Sequence, residues 1–112
     1  MLLNVTRGTT IAEDVAIADT HLKRLRGLIG RPPLGAGEAL VIRPSQGIHT
    51  FFMGYPIDVA YVDADGRVIR ILHSIRPYRF GPIDIRARYV IEFAAGALQG
   101  AATTEGDIVA IR

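Results

Sequence analysis

The sequence predicts a mainly β fold: an antiparallel barrel or sandwich with one α-helix packed on it. Three observations predict it. About seven or eight short apolar runs follow one another at close spacing, each bounded by Gly, Pro, Asn or Asp. A single stretch carries apolar residues at helical spacing. No strand is followed by the long helical run that a βαβ protein needs.

Residues 1–6 read as an edge strand, and residues 10–18 as a second strand, kinked at Glu13-Asp14. Asp19 or Thr20 offers a side-chain oxygen to cap a helix start. Leu22, Leu25, Leu28 and Ile29 then repeat at helical spacing, and Gly30 stands where a left-handed terminator belongs. The expected helix covers 19–29, docks through those four residues and turns Lys23, Arg24 and Arg26 to solvent. If Leu25 is core, Leu25→Ala costs about 2–5 kcal/mol.

Two prolines and two glycines make 31–37 a loop. Strands are expected over 38–42, 48–53, 57–62, 67–75, 88–93 and 107–111, with a helical turn over 94–98. In 57–62, Ile57, Val59 and Tyr61 alternate with Asp58 and Ala60. Asp63-Ala64-Asp65-Gly66 is a hairpin turn, and Ile69, Ile71, His73 and Ile75 are expected on one face of the return strand. Pro77 and Pro82 stiffen the loop after it.

The 112 residues read as one domain over 1–112, large enough to hide roughly two-thirds of the unfolded surface. With 49% apolar and 21% charged residues the chain reads as globular. It has no cysteine, which excludes disulfides, thiolate nucleophiles and Cys-based metal sites. No run approaches a membrane span, and the N-terminal residues lack the basic-then-apolar pattern of a secretory signal, so a cytoplasmic protein is expected. The net charge of +2 rests on twelve Arg and one Lys interspersed with eleven acids, too even a mixture for a strong nucleic-acid binder.

Four motifs in order resemble those of the domain of unknown function 192 family (DUF 192). They are Arg26-Gly27-Leu28-Ile29-Gly30-Arg31, His49-Thr50-Phe51-Phe52-Met53-Gly54-Tyr55-Pro56-Ile57-Asp58-Val59, Asp63-Ala64-Asp65-Gly66 and Tyr89-Val90-Ile91-Glu92-Phe93-Ala94-Ala95-Gly96. The resemblance runs from about Thr20 to the end of the chain, and the run from His49 to Val59 is its specific part. Many members have Lys-Asn-Thr after the methionine, where this chain has Gly54-Tyr55-Pro56. The resemblance implies a small mainly β domain related to jelly-roll barrels. It implies no reaction, substrate or cofactor, and so transfers no catalytic residue.

The candidate site residues are His49, Thr50, Met53, Asp58, Arg76, Arg79 and Glu92. Alternation over 48–53 sets His49, Phe51 and Met53 on one face and Thr50 and Phe52 on the other. His49 is a candidate base or ligand, with Asp58 to orient it. The alternative is that both satisfy backbone groups around the Gly-Tyr-Pro turn. Asp58 and Glu92 are carboxylates in apolar strands: an acid–base couple if they converge, arginine partners if they do not. Arg76-Pro77-Tyr78-Arg79-Phe80, with Arg86 and Arg88, suits stacking on nucleic acid, clamping an acidic ligand, or pairing with Asp84 and Glu92.

His21, His49 and His73 share no short motif, and a calcium loop opening at Asp63 would need Glu where Ser74 stands, so no metal is expected. No cofactor motif is present: Gly35-Ala36-Gly37 lacks the further glycine of a phosphate loop.

Three functions follow. The leading one is a non-enzymatic module binding a small polar or anionic ligand near His49, Met53 and Asp58, with Arg76 or Arg79 at its rim. The second is a small hydrolase or lyase using His49 with Asp58 or Glu92. The third is an accessory domain whose protein partner docks on a sheet edge or apolar patch. Nucleic acid and membrane are not expected partners, and the oligomeric state is left open.

Overall fold

The computed structural model describes residues 1–27, 29, 32–50 and 53–112. Its elements are β1 (Leu2–Asn4), β2 (Thr9–Ala12), β3 (Asp14–Ala18), α1 (His21–Arg26), β4 (Glu38–Ile42), β5 (Ile57–Val62), β6 (Val68–Ile75), β7 (Tyr89–Ala94), α2 (Ala97–Gly100) and β8 (Val109–Ile111). They form a three-stranded sheet, β2-β1-β8, and a five-stranded sheet, β3-β4-β7-β5-β6. The protein is therefore mainly β with two sheets, and neither closes into a barrel among the described residues. No described helix is long and apolar enough to cross a membrane.

Two expectations about the N-terminal strands are corrected. β1 is central in its sheet, paired with both β2 and β8, and not an edge. The kink at Glu13-Asp14 is a full break: the N–H groups of Glu13 and Asp14 both donate to the Gly37 carbonyl, and the chain passes from one sheet to the other. β3 then runs parallel to β4, from Asp14 opposite Glu38 to Ala18 opposite Ile42. The long connection through α1 makes this possible, since a parallel pair needs a crossover that a tight turn cannot provide. The other described pairings are antiparallel.

All six residues of β5 are buried, because both faces of the five-stranded sheet are covered. On one face Ala60, Val62, Ile91 and Phe93 pack with Leu2, Ala12 and Val109 of the smaller sheet and with Leu98 of α2. On the other, Leu40, Ile42, Ile57, Val59, Tyr61 and Val90 pack with Met53 and Ala87, under Leu34, Ile48 and Tyr55. The alternation of Ile57, Val59 and Tyr61 against Ala60 and Val62 is the division between these two clusters.

The return strand does not keep the expected alternation. Its register against β5 shifts twice, with Val62 opposite Val68 but Tyr61 opposite Arg70, and Val59 opposite Leu72 but Ile57 opposite Ile75. Each shift leaves an extra residue on β6, as a β-bulge does. Ile69 and Ile75 pack with the second cluster while Ile71 packs with the first, so they share no face. The hairpin turn itself is present: the N–H groups of Asp65 and Arg67 donate to Asp63 Oδ1, and Gly66 takes φ +80°.

The expected helix packing is also corrected. Thr20 caps α1, its Oγ1 accepting from Lys23 N at 3.2 Å. Gly27, at φ +51°, ends the helix before the stripe reaches Ile29. Leu22 and Leu25 are 80% and 71% exposed, and α1 buries no side chain. Leu28 and Gly30 lie outside the described residues. Leu25→Ala is accordingly expected to move stability by no more than about 0.5 kcal/mol. A larger loss of unfolding free energy in urea denaturation would show Leu25 to be core after all.

Candidate functional site

Glu92 and Asp58 stand on neighbouring strands but on opposite faces of the five-stranded sheet. Glu92 lies opposite Leu40 and Val59, both of the second cluster. Asp58 lies opposite Phe93, of the first cluster. Directly opposed residues share a face. The two carboxylates therefore do not converge, and the acid–base couple between them is ruled out by the register.

On the Glu92 face the end of β4, the segment 44–49, Met53 and α1 enclose a cavity of about 170 Å³. Ile29, Ile42, Ile48 and Met53 supply apolar wall; Arg24, Arg26, His49 and Glu92 are its titratable or charged groups. Glu92 is 3% exposed, and its Oε2 has no hydrogen-bond partner among the described residues. Burial pushes its carboxyl up to about 8, so at neutral pH Glu92 is largely a protonated acid.

The other buried carboxylates behave differently. Asp84 accepts from Arg86 Nη2 at 2.7 Å and from Arg86 Nε at 3.0 Å, with Arg70 Nε at 3.6 Å. Those hydrogen bonds hold it well below the usual carboxylate range. Burial alone would raise Asp107, but bonds from Asn4, Arg7 and Thr104 N outweigh it and lower the carboxyl to about 2. The expectation that arginines pair with Asp84 and Glu92 thus holds for Asp84, while Glu92 has no arginine partner among the described residues.

Asp58 is wholly buried and acts on backbone. Its Oδ1 accepts from Ser74 N at 2.8 Å, at the second bulge of β6, where Ser74 takes φ +50°. The bulge withdraws that N–H from the ladder, and the carboxylate receives it. Its Oδ2 accepts from Gly96 N at 3.0 Å and, at 3.4 Å, from Leu98 N in the first turn of α2. Gly96 has no side chain to cap α2, so Asp58 caps it from the neighbouring sheet. These are not groups of the Gly-Tyr-Pro turn, as the sequence suggested. Nor is His49 the histidine beside Asp58: that place belongs to His73, whose Nδ1 is 3.9 Å from Oδ2. His49 lines the cavity on the far face, so Asp58 does not orient it.

Thr50 is buried and holds a loop. Its Oγ1 donates to the Arg76 carbonyl at 2.6 Å and accepts from Arg79 N at 2.9 Å. Its own N–H donates to the Arg79 carbonyl and its carbonyl accepts from Tyr78 N. Among the described residues of the strand expected over 48–53, His49 forms an isolated bridge with Phe80 and the others are not in a strand. Phe51 and Phe52 lie outside the described residues.

Of the predicted residues, the cavity joins His49, Met53 and Glu92. Arg76 and Arg79 are exposed and do not line it. The arginines that do are Arg24, which is half-buried, and Arg26, which is exposed; the sequence alone assigns both to a solvated helix face. Arg24 donates to the carbonyls of Asp19 and Arg43 and approaches His21 Nδ1, and Arg26 Nε donates to the Ile29 carbonyl. Neither forms an ion pair among the described residues.

Residues 3–111 match the DUF192 family model, described as "Uncharacterized ACR". The chain belongs to the DUF 192 family. Curated relatives carry the name UPF0127 protein: one from Thermococcus sibiricus is 35% identical over 88% of this chain and 66% of its own length. Another, from Pyrococcus furiosus, is 32% identical over 95% of this chain and 93% of its own. A crystal structure of a protein of unknown function from Novosphingobium aromaticivorans shares the DUF 192 fold seen here, with a TM-score of 0.78 and 24% identity over 87% of this chain and 74% of that one. A Sinorhizobium meliloti 1021 protein, proposed to be a transcription regulator, has a TM-score of 0.74 and 22% identity over 86% and 79% of the two chains. At these identities the likeness speaks to fold alone.

Proposed function

We propose that this DUF 192 chain is a non-enzymatic binding module for a small polar or anionic ligand, held in the cavity between α1 and β7. One observation carries the reading: a carboxyl oxygen buried beside a cavity, with no hydrogen-bond partner among the described residues. A buried polar atom left unpaired costs roughly 1–3 kcal/mol, a cost that a ligand's polar group would remove. Arg24 and Arg26, which form no ion pair among the described residues, supply the complementary charge. On this reading the chain is a single jelly-roll-like domain with the site on the face turned away from the three-stranded sheet.

A thermal-shift screen against sugars, nucleotides and organic acids tests it. A ligand at 100 times its Kd adds roughly 2.7 kcal/mol, several degrees for a domain of this size. The expected result is a hit that disappears in Glu92→Leu while that variant keeps its circular dichroism spectrum. Silence across the panel, or hits that survive in Glu92→Leu, would count against the cavity.

A second reading rests on His49 and Glu92 lining one cavity. With Glu92 protonated as acid and His49 as base, the site would support a hydrolase or lyase step. It requires turnover of a compound found in the screen, lost in His49→Ala with binding retained.

A further inference from the structure

We infer that the ligand is a short oxo- or hydroxy-carboxylate, whose carboxylate meets Arg24 and Arg26 at the mouth and whose far oxygen accepts a hydrogen bond from the Glu92 carboxyl. The inference rests on the binding function proposed above and names its ligand class. Three features select that class.

The first is depth. Glu92 is nearly fully buried, Arg24 half-buried and Arg26 exposed, so the acid lies at the floor and the guanidinium groups lie toward solvent. A ligand spanning the cavity meets cations at one end and a carboxyl at the other. The second is the wall. Ile29, Ile42, Ile48 and Met53 line it beside Ser45 and His49, so a short hydrocarbon spacer has apolar surface to pack on. The third is size. A cavity of about 150 Å³ admits benzene, so one of about 170 Å³ holds roughly six to eight heavy atoms.

The state of Glu92 sets the polarity of the far end. At pH 7 it carries its proton and donates, so an oxygen acceptor suits it. An ammonium at that end would require the proton to leave, and a second carboxylate would bring excess charge into the floor.

Levulinate, pentanoate and 2-pentanone separate the parts: oxo group with carboxylate, carboxylate alone, oxo group alone. Dissociation constants from amide chemical-shift titrations of the folded protein at pH 7 are expected to favour levulinate at least tenfold over each of the others. In the double variant Arg24→Gln/Arg26→Gln, levulinate should fall to the level of 2-pentanone, whose own affinity stays put. Raising the pH from 7 to 9 should weaken levulinate in the native protein, because Glu92 ionises, and leave Glu92→Gln unaffected, because its amide still donates. That comparison isolates the contribution of Glu92 from that of His49, which also lines the cavity.

Equal binding of pentanoate or 2-pentanone, no levulinate binding, or a levulinate affinity indifferent to the arginines or to pH would overturn the inference. A sugar or nucleotide hit lost in Glu92→Leu would do the same while leaving the cavity's binding role standing.

Discussion

Asp58→Ala is expected to destabilise the protein by about 3–5 kcal/mol, more than any surface change. The carboxylate receives the N–H groups of Ser74, Gly96 and Leu98, and no water reaches a residue of zero exposure. Removal strands up to three donors: one at the bulge of β6 and two at the start of α2. Asp58→Asn should recover only part of the loss, because its amide nitrogen would face a donor wherever it replaces one oxygen. Denaturant unfolding measures both. A loss below 1 kcal/mol for the alanine variant would mean that the bulge and α2 hold their shape without the carboxylate.

Glu92→Gln is expected to flatten the fall in stability between about pH 4.5 and 8. In the unfolded chain the carboxyl ionises near its ordinary value of 4.5; in the native protein burial defers ionisation to about 8. Between those values the unfolded state has released its proton and the native state has not, so rising pH favours unfolding. Below the lower value both states are protonated and the residue adds no penalty; above the upper value the penalty is complete. Its full size is on the order of 3–5 kcal/mol. Asp84 and Asp107 have lowered values and act at the acid end, outside this window. Groups common to both proteins cancel in the difference between the native and Glu92→Gln stability curves. A flat difference from pH 5 to 8 would show Glu92 to be ionised or solvated in the native state.

The parts of the fold legible in the sequence are those that local pattern controls. β4 and β5 occupy the spans expected from their apolar runs, since each lies inside the larger sheet and is bounded by breakers. The turn at Asp63 and the Thr20 cap follow from short-range chemistry. The packing of α1 was not legible. Leucine spacing marks a face but cannot say that the chain covers it, and the helix stops at Gly27, not at Gly30. Bulges were equally hidden, because period-2 alternation has no symbol for an extra residue: the first sorts Ile69 from Ile71 and the second sorts Ile71 from Ile75.

The site divides in the same way. That Asp58 would serve backbone N–H groups was readable from a carboxylate at a strand start. Its partners were not, because Ser74 and Gly96 are far along the chain and meet it only through sheet register. Glu92 stood out as an acid in an apolar strand. Whether an arginine would reach it depended on which face it took, and that face placed it beside the α1 arginines at a cavity without pairing it to either.

The proposed binding function puts the ligand in the Glu92 cavity. The most direct test is to map amide shifts in the ¹⁵N-labelled protein on adding the strongest hit of the small-molecule screen. The cavity account predicts shifts centred on Ile42, Ile48, Met53 and Glu92, absent in Glu92→Leu. Shifts centred on Ser74 and Gly96 around Asp58, or on exposed Phe80 and Ile83, would contradict it and move the function to another surface.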